Sequence, residues 1–103
     1  MISFPNIKMV NYQILPYTRK KAKRLNVLVK PAQHNKTKKI DVFTKQGKYI
    51  TSVGAKGMND YPTYWKNQGK LFANKRRRLY KMRHEKDRHK RGSNGWYADQ
   101  LLW

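Results

Sequence analysis

Ile40-Asp41-Val42-Phe43-Thr44-Lys45-Gln46-Gly47-Lys48-Tyr49-Ile50-Thr51-Ser52-Val53 is the stretch that decides the fold. β-Branched and aromatic residues fill both of its ends, and such residues fit a pleated, half-buried surface. Lys45-Gln46-Gly47 lies between them. A three-residue loop with glycine in the left-handed conformation joins two antiparallel strands with a bulge. In that register Phe43 faces Tyr49 and Val42 faces Ile50, each pair on its own face of the ribbon. Both faces are then partly apolar: one can pack on a helix, and the other needs a third element or a ligand.

Upstream, Asn26-Val27-Leu28-Val29-Lys30 followed by Pro31 reads as a further short strand ended by proline. Residues 33–39 read as a polar, basic loop. Before them, Ile2, Phe4, Ile7, Val10, Tyr12, Ile14, Leu15 and Tyr17 alternate loosely, and Pro5 and Pro16 interrupt the run. The pattern predicts an extended, basic N-terminal arm over residues 1–25, folded back on the core or laid on a partner. It ends in Arg19-Lys20-Lys21-Ala22-Lys23-Arg24, five cations in six positions. Such a run is a solvated patch, a localisation signal or a phosphate contact.

Downstream, Gly54-Ala55-Lys56-Gly57 closes the hairpin. In the aromatic stretch Met58–Trp65, Asn59 or Asp60 starts a turn and Tyr61 before Pro62 is extended. Thr63 is a candidate helix N-cap. Leu71–Arg88 contains neither Gly nor Pro, and good helix formers dominate. Leu71, Lys75, Leu79 and Met82 make a narrow stripe flanked by Phe72 and Tyr80. One long basic helix over 67–90, docked on a small antiparallel sheet, is the expectation. Gly92-Ser93-Asn94-Gly95 ends it, and Trp96–Trp103 forms an apolar plug that packs against the hairpin or a partner. The predicted architecture is α+β: residues 26–103 as one small domain with an aromatic C-terminal tail, and both termini extended across the surface.

A chain of 103 residues holds one core at most. Its 25 Lys and Arg stand against 5 Asp and Glu, a formal charge of +20. A surface so charged repels itself unless anions sit on it, so a polyanionic partner is implied. Aromatic residues at 13% argue against a merely disordered basic tail. The absence of cysteine excludes disulfides, thiolate metal sites and cysteine nucleophiles. No apolar run approaches the roughly 18 residues of a membrane span. The first residues lack a basic segment followed by an apolar one, so no secretory signal is read there.

From Lys75 to Arg91 ten of 17 residues are Lys or Arg: Lys75, Arg76, Arg77, Arg78, Lys81, Arg83, Lys86, Arg88, Lys90 and Arg91. Like charges at i,i+3 and i,i+4 destabilise an isolated helix, and phosphates would relieve them. All of these except Lys86, together with Arg19, Lys20, Lys21, Lys23, Arg24 and Lys56, form the expected nucleic-acid-binding set. Zinc-finger spacing, heptads and RNP-like aromatic motifs are lacking, so sequence-tolerant contact with the backbone is expected. Tyr61, Tyr64 and Trp65 beside Lys66 either stack bases or form core. Gly54 and Gly57 around Lys56 match a phosphate-clamping loop over four residues only. Because they follow a strand, the end of a hairpin is the preferred reading. His84 and His89 are five apart, roughly 500° around a helix, and point in different directions. Glu85 and Asp87 then neutralise neighbouring arginines. No metal, cofactor or catalytic constellation is expected.

Four stretches carry a resemblance: Lys39-Ile40-Asp41-Val42-Phe43, Gly54-Ala55-Lys56-Gly57-Met58-Asn59-Asp60-Tyr61, Leu79-Tyr80-Lys81-Met82-Arg83-His84-Glu85-Lys86, and Trp96 with Leu101-Leu102-Trp103. In these, over about two-thirds of the chain from Lys39 onward, the sequence resembles small basic proteins encoded by large DNA viruses. The first 25 residues fall outside it. The resemblance implies a viral source rather than an activity. The expected function is a non-enzymatic viral protein that binds nucleic acid, DNA first, without strong sequence preference in genome packaging or condensation. The alternative is a minor capsid or cement protein that bridges larger capsid subunits on the inner face of a shell. Either places the protein in the virion, or in the host nucleus or cytoplasm during assembly.

Overall fold

The computed structural model describes residues 12–103. Strands β1 (Val27–Pro31), β2 (Lys38–Thr44) and β3 (Tyr49–Ala55) form one antiparallel sheet in the order β1-β2-β3. The turn between β2 and β3 has Gly47 at φ 91°, and Phe43 pairs with Tyr49 as the sequence predicts. Val42, however, pairs with Thr51 and not with Ile50. The register shifts by one residue between Val42 and Phe43, leaving Ile50 opposite no single partner. This bulge has a chemical consequence: it sets Ser52, rather than Thr51, opposite Asp41.

Alternate positions of the sheet, Val27, Ile40, Val42 and Val53, join the buried core. On the other face Asp41 is buried under the loop that follows β1. Its carboxylate accepts from Ser52 Oγ at 2.6 Å, Gln33 N–H at 2.8 Å and His34 N–H at 3.1 Å, and meets His34 Nδ1 at 2.9 Å. The His34 ring stacks on Tyr49 at 4.1 Å. Burial alone would raise the pKa of Asp41. The hydrogen bonds from Ser52, Gln33 and His34 outweigh it and hold the carboxyl down at about 2.

The predicted extended arm is helical only from Pro16 onward; residues 12–15 before it are non-helical, with Leu15 extended at φ −82° and ψ 159°. Helix α1 (Pro16–Leu25) begins at the proline that the sequence pattern reads as a breaker. Proline is well placed in a first turn, where its missing N–H has no helical partner anyway. Thr18 and Ala22, four apart, are buried, and Thr18 Oγ1 donates to Leu101 O at 2.9 Å. Asn26 ends the helix in the left-handed region at φ 64°. The expectation for Ile2, Phe4, Ile7 and Val10 lies outside the described residues.

The single long helix predicted over 67–90 is divided. Helix α2 (Tyr61–Gln68) is followed by Gly69 at φ 89°, then by helix α3 (Lys70–Arg83). A left-handed residue cannot continue a right-handed helix. Asp60, not Thr63, caps α2: its Oδ1 accepts from Thr63 N–H at 3.0 Å. Tyr61 is the first helical residue although it precedes Pro62. The cap and the burial of its ring, only 2% exposed, override the local preference. Beyond Arg83 the chain leaves the helix in successive turns, with Asp87 and Arg88 N–H both donating to His84 O.

The face by which α3 docks also differs from the prediction. Leu71 is 87% exposed and Met82 69%, and Leu79 and Phe72 are exposed as well. The buried side is Ala73 with half-buried Arg76, Arg77 and Tyr80. Arg77 lays its guanidinium over the Tyr61 ring at 4.0 Å and donates to Trp103 O at 3.5 Å. A hydrophobic pattern does not register an arginine whose stem and flat head serve as packing surface.

Helix α4 (Asn94–Leu102) starts at Ser93, whose Oγ accepts from Trp96 N–H at 3.2 Å. The predicted apolar plug does pack inward, though as a helix rather than an extended tail. Leu101, Leu102 and Trp103 are buried, and α4 lies against β3. Gly54 permits that approach: a β-carbon there would stand 2.8 Å from Leu102 Cδ1. Gly54, at φ 84°, is the last residue but one of β3, and the hairpin ends at Ala55, within the predicted Gly54–Gly57 segment. Among the described residues no helix is long and apolar enough to cross a membrane.

Two outcomes follow. Gly47 and Gly54 share a positive φ, which costs a β-carbon about 1–2 kcal/mol. Around Gly47 the space is open, whereas at Gly54 the added carbon meets Leu102 and Lys39. Gly54→Ala is therefore expected to destabilise by a further ~1–3 kcal/mol over Gly47→Ala in thermal melts; equal losses would contradict this packing. The low pKa of Asp41 means its carboxylate stabilises the fold above the ordinary value of about 4, and that contribution fades as pH falls toward 2. Asp41→Asn should lower the melting temperature at pH 7 and bring it little below the parent at pH 2. A gap that persists undiminished at pH 2 would contradict the assignment.

Candidate nucleic-acid interface

The positive surface is defined by where the few carboxylates go. Asp60 takes Lys39 Nζ at 2.9 Å, with both side chains almost fully buried. Asp99 takes Lys81 Nζ at 2.8 Å and Arg88 Nη1 at 3.6 Å, ending the turn segment after α3 against α4. Glu85 meets Arg88 at 3.1 Å and His89 Nε2 at 2.8 Å. The hydrogen bond from His89, together with that from Arg88, lowers its pKa. Asp41 is enclosed as described. Asp87 alone of the five acids forms no ion pair among the described residues.

The structure sorts the predicted cations into groups. Arg19, Lys20, Lys23 and Arg24 are exposed on α1. Lys21, beside them, is half-buried over the Tyr17 ring, and burial followed by the charge of Lys81 lowers its pKa. Lys75 and Arg78 are exposed on α3, and Lys56 is exposed in the turn after β3. Arg91 lies over the Trp96 ring at 5.4 Å. Arg77, Lys81 and Arg88 are committed inside the fold by the contacts already given, so they hold elements together rather than face a ligand. Arg76, Arg83 and Lys90 are brought together at a cavity.

That cavity, about 590 Å³, opens between the end of the sheet, α3, the turn segment and α4. Its charged lining includes Lys38, Arg76, Arg83, Lys86 and Lys90. Tyr64, Tyr80 and Trp103 supply an aromatic wall, in which Tyr80 and Trp103 stack at 4.2 Å with an interplanar angle of 6°. Arg76 lies over the Tyr64 ring at 5.4 Å, and its buried Nε has no acceptor among the described residues. Sequence reasoning omits Lys38 and Lys86. Lys38 reads as loop in the sequence but begins β2 and points to a site assembled from segments some 50 residues apart.

The aromatic cluster divides likewise. Tyr61 is core and is not available to stack on a base, Tyr64 belongs to the cavity wall, and Trp65 is exposed. The Gly54–Gly57 segment does not form a clamp: Gly54 is covered by Leu102, and Lys56 N–H is taken by Thr37 O at 2.9 Å. His84 packs on Tyr80 at 4.3 Å while His89 turns to Glu85, and no potential metal-holding cluster occurs among the described residues. No protein-family model, curated protein or solved structure matches the chain.

Asp99 is the carboxylate on which the turn segment depends. Asp99→Asn removes the charge from beneath Lys81 and Arg88 and is expected to destabilise the fold by about 1–3 kcal/mol, since Lys81 is partly solvated. A urea melt reads the change. Unaltered stability would show that the two cations do not anchor the segment.

Proposed function

We propose that the protein is a non-enzymatic viral protein that binds nucleic acid through its phosphates, without strong sequence preference, in packaging or condensing a genome. The observation that carries this reading is the distribution of charge. Apart from Lys8, which lies outside the described residues, only Lys39, Lys81 and Arg88 among the 25 Lys and Arg meet an Asp or Glu side chain. The remaining cations lack internal counter-charges, and many are exposed on α1, α3 and the turns. Phosphates at such a surface release counterions, giving affinity that falls steeply with salt and depends little on base sequence.

A second reading, a minor capsid or cement protein, is favoured by the exposed row Leu71, Leu79 and Met82 on α3. An apolar row with cations beside it suits a protein partner with an acidic, apolar surface.

Binding to duplex DNA across a salt series tests the first reading. The logarithm of the affinity should fall linearly with the logarithm of salt concentration. Lys75→Gln, Arg78→Gln and Arg83→Gln together should flatten that slope by roughly 2–3 and weaken unrelated sequences alike. Replacing Leu71 and Met82 by Ser should leave the slope unchanged. Salt-independent binding, or a slope untouched by the triple substitution, would remove the proposed surface.

A further inference from the structure

We propose that the cavity between the sheet end, α3 and α4 is a binding pocket for a nucleoside monophosphate, with the phosphate held at Arg76 and Arg83 and the base against the aromatic wall. The proposal rests on the nucleic-acid reading only for the source of the nucleotide. Three observations converge on it. The first is charge. Six Lys or Arg line the cavity against Asp60 and Asp87. Asp60 is already neutralised by Lys39, which leaves a single unpaired carboxylate on the wall. Such a surplus suits a phosphate monoester, which approaches two negative charges at neutral pH, better than the single charge of a backbone diester.

The second observation is Arg76. Its Nε is buried and donates to nothing among the described residues. A buried donor without an acceptor is costly, and more so when it belongs to an ion. The guanidinium lies over the Tyr64 ring at 5.4 Å, a contact that restrains its planar fork at the cavity before any ligand arrives. A planar, preorganised fork matches two phosphate oxygens at once, which a lysine ammonium does not. Arg83 and Lys90 line the same space and supply the flanking charge.

The third observation is shape and lining. A volume of about 590 Å³ lies in the range of small-molecule sites and exceeds what a phosphate alone would fill. Tyr64, Tyr80 and Trp103 give the lining aromatic surface, and Ala98 and Leu102 add apolar surface to it. Tyr80 already stacks on Trp103 and packs on His84, and Tyr64 carries Arg76, so a base meets the remaining aromatic surface, an apolar contact that reads no sequence. The same nucleoside monophosphate chemistry occurs in the free nucleotide and at the phosphorylated end of a strand.

Calorimetric titration of the full chain at low salt tests the assignment, with dAMP, deoxyadenosine and inorganic phosphate as probes. One dAMP is expected per chain, bound at least about tenfold more tightly than either half of it. Arg76→Gln should weaken dAMP by about tenfold or more, and Arg76→Lys should not restore it. Thermal melts establish that these variants fold. Arg83→Gln, an exposed position at the same cavity, should also weaken dAMP, while Lys20→Gln on α1 should not. If dAMP binds no better than inorganic phosphate, or binds Arg76→Gln and Arg83→Gln as it binds the parent, the pocket is not a nucleotide site. Oligodeoxyadenylates with a 5′-phosphate or a 5′-hydroxyl separate the sources. Preference for the phosphorylated strand assigns the pocket to a strand end; equal binding of the two, with dAMP still bound, assigns it to the free nucleotide. Binding of dAMP without any binding of duplex DNA would overturn the nucleic-acid reading and leave the pocket standing.

Discussion

The carboxylate of Asp60 is the point at which the sheet, the helices and the described N-terminal residues are joined. One oxygen caps α2 through Thr63 N–H, and the other accepts from Lys39 Nζ at 2.9 Å and Tyr12 Oη at 2.6 Å. With 1% of its surface exposed, the side chain depends on these partners in place of water. The effect reaches its neighbours: burial, followed by the hydrogen bond to Asp60, drives the Tyr12 phenol well above its ordinary pKa. Removal of this one carboxylate would leave Lys39 buried without a counter-charge and α2 without its cap. An uncompensated buried charge is among the more severe single defects a small domain can carry.

Asp99 and Asp41 act in the same manner elsewhere. Each acidic side chain of the core collects donors from separate segments, and together they substitute for apolar surface that a chain of this size lacks. Because those three acids face inward, only Glu85 and Asp87 are left outside to offset the cations of the outer surface. The excess is compatible with folding because several arginines sit on aromatic faces. Arg77 on Tyr61 and Arg76 on Tyr64 turn charged residues into packing partners of the core. The internal placement of the acids and the external availability of the cations are therefore one feature seen from two sides.

Much of this was legible from particular residues. Gly47 between two β-branched runs placed the turn and the Phe43–Tyr49 pair correctly, because loop length and a positive φ act locally. The Val42 partner was not legible, since a bulge is chosen by what it brings together, here Ser52 and Asp41. Pro16 reads as a breaker in the sequence but starts a helix, a distinction that depends on whether Thr18 and Ala22 find a surface to face. Periodicity points to the Leu71, Lys75, Leu79, Met82 stripe as the docking face because apolar residues are what it counts. The face in use is Ala73, Arg77 and Tyr80, and it is selected by the Tyr61 and Trp103 rings. Lys38 and Arg76 share a cavity only because of the tertiary arrangement, and no spacing in the chain announces that.

Inward acids hold the fold and leave an excess of exposed cations, which we propose a polyanion neutralises. The melting temperature of the full chain with and without duplex DNA, at low salt and again at about 1 M salt, tests it directly, since a ligand bound only by the native state raises stability by mass action. DNA should raise the melting temperature at low salt, and the increase should vanish at high salt. A melting temperature that DNA leaves unchanged at low salt would contradict the claim.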